Sequence, residues 1–274
     1  MKIGIFDSGY GGLTILRDIR DRLPLYDYIY LGDNARNPYG SRSFEIVYEF
    51  TLQAVKELFR RDCKLIILAC NTASAKALRS IQQNDLKKID PSRRVLGVIR
   101  PTVEVIPKIS DTKHIGILAT PGTVRSNSYS MEFHKLSPEL VVTEHACPMW
   151  VPIVENNEID SPGAHYFIKK ELNAIMSKDP MIDTLILGCT HYPLLEKIIK
   201  KYLPANVKVV CQGPLVAESL ADYLKRHPEI ESECSKGGKT TYLTTEHTEK
   251  FDSLASLFMG YDVESSTISL LTSK

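Results

Sequence analysis

The sequence carries almost no net charge and no long apolar run. Its 34 Lys and Arg balance 33 Asp and Glu, which gives a net charge of +1 at pH 7 with the seven His neutral. Nucleic acids and anionic membranes select clustered Lys and Arg, so neither is expected as the main partner. No segment reaches the roughly 18 apolar residues of a membrane span, and the first residues enter a strand instead of a signal peptide. We therefore predict a soluble, cytoplasmic protein.

The usual metal and nucleotide motifs are also missing. There is no CxxC and no HExxH, and Cys189 with His191 alone would make a poor zinc site. The glycines of residues 7–12 form neither GxGxxG nor a Walker loop. Six cysteines lack the close spacing of a disulfide framework, so we expect free thiols in a reducing compartment. No metal and no cofactor are expected.

The most informative stretch runs from Leu65 to Leu68 and on to Cys70. Four aliphatic residues without polar alternation predict a strand buried on both faces, as in parallel sheets. Asn71 and Thr72 then favour the start of a helix. Cys70 is thus placed at the carboxyl end of a strand, where open α/β sheets bind ligands. A lone cysteine in an apolar stretch is more often a small core residue, so this pattern needs a second observation.

That observation is a second copy of the pattern. The strand-like run 184–187 leads into Gly188-Cys189-Thr190-His191, and the segment 114–118 matches the start of the chain at 2–6. We predict an α/β fold of two pseudosymmetric domains, each a mostly parallel sheet flanked by helices, with the active site in the interdomain cleft. The last segment is too short to stand alone. The first domain is expected to comprise residues 1–98 plus 211–274, and the second residues 99–210.

Two thiols that approach one cleft from opposite sides suit the inversion of a carbon stereocentre. One base removes a proton from one face, a conjugate acid returns a proton to the other, and the roles swap in the reverse direction. A thiol pKa of about 8.5 makes both protonation states accessible near neutrality. Asp7, at the end of the first strand, is expected beside Cys70, and His191 with Glu155 beside Cys189.

The same strand ends offer groups that would bind an anion. Asn71-Thr72 and Thr190-His191 supply N–H groups and hydroxyls to a carboxylate. The predicted substrate is therefore a small amino or carboxylic acid.

These motifs resemble those of the glutamate racemases, in the aspartate/glutamate racemase superfamily, over nearly the whole chain. The residues that carry the resemblance are Asp7-Ser8-Gly9-Tyr10-Gly11-Gly12, Asp33 with Pro38-Tyr39-Gly40, Ala69-Cys70-Asn71-Thr72-Ala73-Ser74, Cys147-Pro148 through Val151-Pro152 to Glu155, and Gly188-Cys189-Thr190-His191-Tyr192-Pro193-Leu194-Leu195. The resemblance implies cofactor-independent interconversion of L- and D-glutamate, which supplies D-glutamate for peptidoglycan biosynthesis. It also implies a homodimer.

The resemblance also implies roles for single residues. Cys70 would take the α-proton of D-glutamate and Cys189 that of L-glutamate, with Asp7 and His191 assisting the thiols as further catalytic residues. The substrate-binding residues implied are Asp7, Ser8, Pro38, Tyr39, Gly40, Asn71, Thr72, Thr123, Glu155, Thr190 and His191.

Three other functions stay open at this point. One is aspartate racemase or another two-cysteine racemase of the superfamily, and a second is a hydrolase that uses Cys189 and His191 alone. A third is an amino-acid-binding protein without catalysis.

Overall fold

Two β-sheets organise the chain in this computed structural model, which describes residues 1–270. The strands are β1 (Ile3–Asp7), β2 (Tyr28–Gly32), β3 (Leu65–Leu68), β4 (Arg94–Gly97), β5 (His114–Ala119), β6 (Val141–Ala146), β7 (Thr184–Gly188), β8 (Lys208–Val210), β9 (Thr240–Thr244) and β10 (Ser265–Thr267). The first sheet has the order β10-β9-β2-β1-β3-β4, and the second has the order β6-β5-β7-β8. Every strand pairing within residues 1–270 is parallel.

Helices connect and cover the strands. They are α1 (Gly12–Arg22), α2 (Phe44–Arg60), α3 (Asn71–Lys76), α4 (Leu78–Ser80), α5 (Leu86–Ile89), α6 (Ile99–Val105), α7 (Pro121–Ser126), α8 (Ser128–Leu136), α9 (Trp150–Glu155), α10 (Pro162–Lys178), α11 (Glu196–Tyr202), α12 (Gln212–Arg226), α13 (Pro228–Glu231) and α14 (Thr248–Met259). Short 3-10 helices lie at Asn34–Arg36, Ile106–Lys108 and Tyr192–Leu195, and a π-helical turn at Ile81–Asp85. No helix within residues 1–270 has the length and apolar character needed to cross a bilayer.

The two halves repeat one topology. Strands β2-β1-β3-β4 in the first sheet and β6-β5-β7-β8 in the second follow the same order, second-first-third-fourth along each half. The predicted α/β fold of two pseudosymmetric, parallel-sheet halves is therefore confirmed. Strands β3 and β7, which lead to Cys70 and Cys189, are each the third strand of their half and are fully buried. A strand covered by helices on both faces needs apolar side chains in both directions, which is why these runs lack polar alternation.

Pairing register aligns the functional strand ends. Phe6 of β1 lies beside Leu68 of β3, and the N–H of Ala69 donates to the carbonyl of Phe6 at 2.8 Å. Asp7 and Cys70 therefore leave neighbouring strands at the same edge of the sheet. In the second sheet, Ala119 of β5 lies beside Gly188 of β7, so Thr120 and Cys189 leave at the corresponding edge.

The chain returns to the first sheet after the second is complete. Strand β9 pairs with β2, and β10 pairs with β9. Helix α12 packs along α1 in the first half. The predicted division into residues 1–98 plus 211–274 and residues 99–210 stays a prediction, and residues 271–274 of its last segment lie outside the described residues.

Candidate active site

Cys70 immediately precedes helix α3 and caps it. Its Sγ accepts a hydrogen bond from the N–H of Ala73 at 3.4 Å, and the thiol donates to Ser8 Oγ at 3.4 Å. The residue is only 6% exposed. Burial raises the pKa of Cys70 to about 12, and the negative charge of Asp7 contributes to the rise. Cys70 is therefore a protonated thiol near neutral pH.

Cys189 follows strand β7 and has the same 6% exposure, but a different neighbour. Its Sγ lies 3.8 Å from Nδ1 of His191, whose Nε2 lies 2.9 Å from Oε1 of Glu155. Burial alone would lower the pKa of His191, but its hydrogen bonds to Cys189 and Glu155 outweigh burial and raise the pKa to about 10. His191 is thus an imidazolium near neutral pH, and a cation at this position favours the thiolate of the adjacent cysteine.

Asp7 ends strand β1 and lies between the surroundings of the two cysteines. Its Oδ2 accepts the N–H of Gly9 at 2.9 Å, while the hydroxyl of Thr190 lies 3.5 Å from Oδ1. Burial raises the pKa of Asp7, and the positive charge of His191 opposes that rise. The sequence pattern predicts Asp7 beside Cys70. The structure adds Thr190 and His191 of the second half to its neighbours, so this carboxylate has neighbours in both halves.

The glycines after Asp7 allow the second half to approach the first. A Cβ on Gly11 would collide with Thr190 Oγ1 and lie 2.5 Å from His191 Nδ1. A Cβ on Gly12 would lie 2.5 Å from Cβ of Asp7. Within residues 1–270, the glycines with positive φ are Gly238 and Gly260, so this turn needs glycine for close approach and not for a left-handed backbone.

Three threonine hydroxyls form a triangle between the halves. Thr72 lies 2.9 Å from Thr120 and 3.2 Å from Thr123, and the last two are 3.1 Å apart, measured between their Oγ1 atoms. Thr120 is also the N-cap of α7, because its hydroxyl accepts the N–H of Thr123 at 3.3 Å. Hydroxyls that now bond to one another can turn to donate to a carboxylate.

The loop of residues 33–43 joins β2 to α2 in the first half and reaches across to contact the second half; we call it the crossing loop. Tyr39 is buried and its hydroxyl donates to the Asp33 carboxylate. The carbonyl of Gly40 accepts the N–H of Gly122 at 2.7 Å, and a Cβ on Gly40 would lie 2.8 Å from Cβ of Thr120. Asn37, in the same loop, donates to Glu155 at 2.7 Å. The loop therefore forms hydrogen bonds to the second half beside the groups that surround both cysteines.

A cavity in the described part of the chain lies away from the two cysteines. Its volume is about 690 Å³, and its lining includes Ser74, Leu78, Arg100 and Tyr223 but neither Cys70 nor Cys189. The residues around the two cysteines are instead buried and joined across the halves. The position of the active site in an interdomain cleft stays a prediction.

Comparison with known proteins identifies the family. A model of the Asp/Glu/hydantoin racemase family matches residues 14–220. The glutamate racemase of Ruegeria sp. (strain TM1040) is 40% identical over 273 residues, which cover 96% of this chain and 98% of that protein. The chain belongs to the Asp/Glu/hydantoin racemase family.

Solved structures of glutamate racemases share the fold over nearly the full chain. A glutamate racemase isoform from Bacillus anthracis superposes with a TM-score of 0.89 at 35% identity, covering 98% of this chain and 97% of that one. The Francisella tularensis glutamate racemase, solved in complex with D-glutamate, gives a TM-score of 0.87 at 32% identity, with coverage of 98% and 97%. The predicted resemblance to glutamate racemases and the predicted isomerase class are confirmed by these similarities.

Within this racemase framework, most of the predicted site residues converge. Those joined by the contacts above, or held in the crossing loop, are Asp7, Ser8, Tyr39, Gly40, Cys70, Thr72, Thr123, Glu155, Cys189, Thr190 and His191. Pro38 precedes Tyr39 in that loop. The roles assigned to all of these residues stay predictions.

Asn71 differs from the other predicted site residues. Its Nδ2 donates to Gln212 Oε1 at 2.6 Å, and its Oδ1 accepts the hydroxyl of Tyr129 at 2.7 Å. The Gln212 amide nitrogen in turn lies 2.8 Å from the same hydroxyl. The Asn71 side chain therefore has partners within the protein, which leaves its backbone N–H as the group available to a substrate.

Four residues of this racemase site were not predicted from the sequence. Thr120 begins a turn whose Pro at the next position signals a helix start, so a capping role was readable. Asn37 gives a weaker signal, as a polar residue in a rigid turn. Tyr129 and Gln212 contact Asn71 although they lie 58 and 141 residues away along the chain, and no local sequence pattern predicts such contacts.

Proposed function

We propose that this protein interconverts L-glutamate and D-glutamate by passing the α-proton through two cysteines, without a cofactor. The observation that carries the proposal is the placement of Cys70 and Cys189 at corresponding strand ends of two repeated sheets, with opposite electrostatic surroundings. The 40% identity to a glutamate racemase over 96% of the chain supports glutamate as the substrate.

Each step of the proposed reaction moves one proton. With L-glutamate bound, the Cys189 thiolate takes the α-proton, and the electron pair of the broken C–H bond delocalises into the α-carboxylate. The Cys70 thiol then gives its proton to the opposite face of the carbon, which yields D-glutamate, a Cys189 thiol and a Cys70 thiolate. In the reverse direction Cys70 removes the proton and Cys189 returns one.

The surroundings of the cysteines fit this direction of transfer. The imidazolium of His191 lies beside Cys189 and would stabilise a negative charge there, whereas burial keeps Cys70 protonated, which suits removal of the α-proton of L-glutamate by Cys189. Exclusion of water strengthens the electrostatic stabilisation of the developing negative charge.

We further propose how glutamate is held. The hydroxyls of Thr72 and Thr123, with Thr120 beside them, would donate to one carboxylate, and Asp7 would accept from the α-ammonium group. Ser8, Pro38, Tyr39, Gly40 and Thr190 would complete the enclosure, with the Asn71 backbone. Support comes from the hydroxyl triangle between the halves and from the burial of most of these groups. Pro38 is exposed and Gly40 is half-buried. The buried groups are Asp7, Ser8, Tyr39, Thr72, Thr120, Thr123 and Thr190.

The wider biological setting is also a proposal. Similarity to glutamate racemases of bacteria supports supply of D-glutamate for peptidoglycan biosynthesis in the cytoplasm. A homodimer and the division into domains 1–98 plus 211–274 and 99–210 belong to the same proposal.

The decisive experiment follows L-glutamate in heavy water with pure protein and no added pyridoxal phosphate or metal. Deuterated D-glutamate should appear by NMR and chiral chromatography. Cys70→Ala and Cys189→Ala should each lower the rate by a factor on the order of 10² to 10⁴, as expected for loss of an acid–base group. Cys63→Ala is the matched control, since Cys63 is another free cysteine of the first half and is fully buried.

Other outcomes point to the other functions. Activity with aspartate alone would indicate a different racemase of the family. Survival of catalysis in Cys70→Ala would indicate chemistry at Cys189 and His191 only. Saturable glutamate binding without α-deuterium exchange by a folded protein would contradict catalysis.

A further inference from the structure

Asn37 reaches from the loop of residues 33–43 to the catalytic groups of the second half. Its Nδ2 lies 2.7 Å from Oε1 and 2.9 Å from Oε2 of Glu155. A carboxylate only accepts hydrogen bonds, so the amide nitrogen must be the atom that faces it. One amide therefore contacts both oxygens of a carboxylate in the other half.

The Glu155 carboxylate continues the chain of contacts to a cysteine. Its Oε1 lies 2.9 Å from His191 Nε2, and His191 Nδ1 lies 3.8 Å from Cys189 Sγ. The side chains of His191 and Glu155 are 4% and 20% exposed, so water competes weakly for these bonds. Asn37, Glu155, His191 and Cys189 thus form a continuous line across the two halves.

The turn after β1 makes room for the Asn37 side chain. A Cβ on Gly9 would lie 3.3 Å from both Cγ and Nδ2 of Asn37, closer than nearly all such contacts in proteins. The amide is therefore held between the Gly9 backbone and the Glu155 carboxylate. A side chain confined on both sides loses little further freedom when it orients its partner.

We propose that Asn37 is a positioning residue for proton transfer at Cys189, acting by holding the Glu155 carboxylate against His191 when the crossing loop is closed. This inference rests on the two-cysteine function proposed above. Asn37 acts through Glu155 and His191 and not by contact with the cysteine. The position of the loop thereby affects the protonation of His191, the group beside Cys189.

The electrostatic consequence follows from the charges around Glu155 and His191. Burial alone would raise the pKa of Glu155, but hydrogen bonds from His191 and Asn37, and the charges of His191 and Lys250, outweigh burial and lower the pKa. Asp7 and Tyr10 also lie within electrostatic reach of this carboxylate. Loss of the Asn37 donor leaves the Glu155 carboxylate free to turn away from His191, and the imidazolium of His191 then loses the acceptor that stabilises it.

The first test measures His191 directly and does not depend on activity. The His191 imidazole is titrated by ¹⁵N NMR in the wild-type protein, Asn37→Ala and Asn34→Ala, with His191→Asn to assign the signal. Asn34 is the matched control, because it lies in the same loop and its Oδ1 accepts from Thr244, within the first half. We expect a lower His191 pKa in Asn37→Ala and no change in Asn34→Ala. An unchanged titration in Asn37→Ala overturns the proposal.

The second test uses a double-mutant cycle on glutamate racemisation. Asn37→Ala should lower kcat/KM by about tenfold, the scale of one charge-assisted hydrogen bond, and move the alkaline limb of the pH profile to lower pH. In the Glu155→Gln background the same substitution should have less than a twofold effect, because the group through which Asn37 acts is gone.

Additive effects in the cycle would mean that Asn37 acts by loop closure alone, and would overturn the proposal. Failure of the proposed function looks different. A wild-type protein that does not racemise glutamate contradicts the function, while the NMR titration still decides whether Asn37 controls His191.

Discussion

The surroundings of Cys70 and Cys189 differ although the backbone around them repeats. Both cysteines follow the third strand of a half, and both are 6% exposed. Cys70 lies beside the Ser8 hydroxyl and the negative charge of Asp7, whereas Cys189 lies beside the imidazolium of His191. The repeat therefore places two cysteines at corresponding strand ends, and their unequal neighbours give the two thiols opposite electrostatic surroundings.

The difference in charge state can be measured by alkylation. Without substrate at pH 7, iodoacetamide should modify Cys189 at least about a hundredfold faster than Cys70, because the thiolate is the nucleophile and the two exposures are equal. Peptide mass spectrometry gives both rates in one sample. His191→Asn should slow Cys189 and leave Cys70 unchanged. Equal rates for the two cysteines in the wild-type protein would mean that the asymmetry described here is wrong.

The contact that brings the halves together can be broken at Gly11. Gly11→Ala places a methyl group against Thr190 and His191, and such overpacking should lower the free energy of unfolding by about 1–3 kcal/mol. It should also lower kcat/KM. Gly163→Ala is the control, since its Cβ would lie 3.6 Å from Ser161 Oγ, an ordinary contact. Urea unfolding checks both variants, and an equal response would refute the close-approach argument.

The asymmetry also predicts how stability depends on pH. The pKa of His191 in the folded protein, about 10, lies above its ordinary value of 6.5. Its stabilising contribution is therefore complete below pH 6.5 and is lost as the pH rises through about 10. The wild-type protein should lose on the order of 4 kcal/mol more over this range than His191→Asn. Urea unfolding measures the free energy of unfolding of both proteins. If this free energy changed equally in the two proteins from pH 6 to pH 10, the assignment of His191 as an imidazolium would be wrong.

The hydroxyl triangle gives the smallest expected effect. Thr120→Val removes one hydroxyl from the contact between the halves and should raise KM for glutamate by a few fold, the scale of about one neutral hydrogen bond. Thr120→Ser keeps the hydroxyl and should stay near wild type. Steady-state kinetics in both directions measure the effect. A similar KM in Val and Ser variants would show that this hydroxyl does not serve the substrate.

Local patterns were enough to predict the strands that carry the site. The run before Cys70 and its counterpart before Cys189 are β3 and β7. These predictions succeeded because burial imposes a periodicity that each segment shows by itself. The glycine-rich turn was harder. Its glycines match no nucleotide-binding motif, and the reason for glycine at position 11 is the close approach of Thr190 and His191.

By itself, the sequence determined the α/β fold, its internal repeat and the two cysteines at corresponding strand ends. Apolar patterns and duplicated motifs can each be recognised within a short segment of the chain. Only the tertiary structure decided the partners: Asn37 with Glu155, Asn71 with Gln212, and Thr72 with Thr120. These contacts join residues from 48 to 141 positions apart. Which polar groups meet at such separations depends on how the two halves pack, and so does the charge state of each thiol.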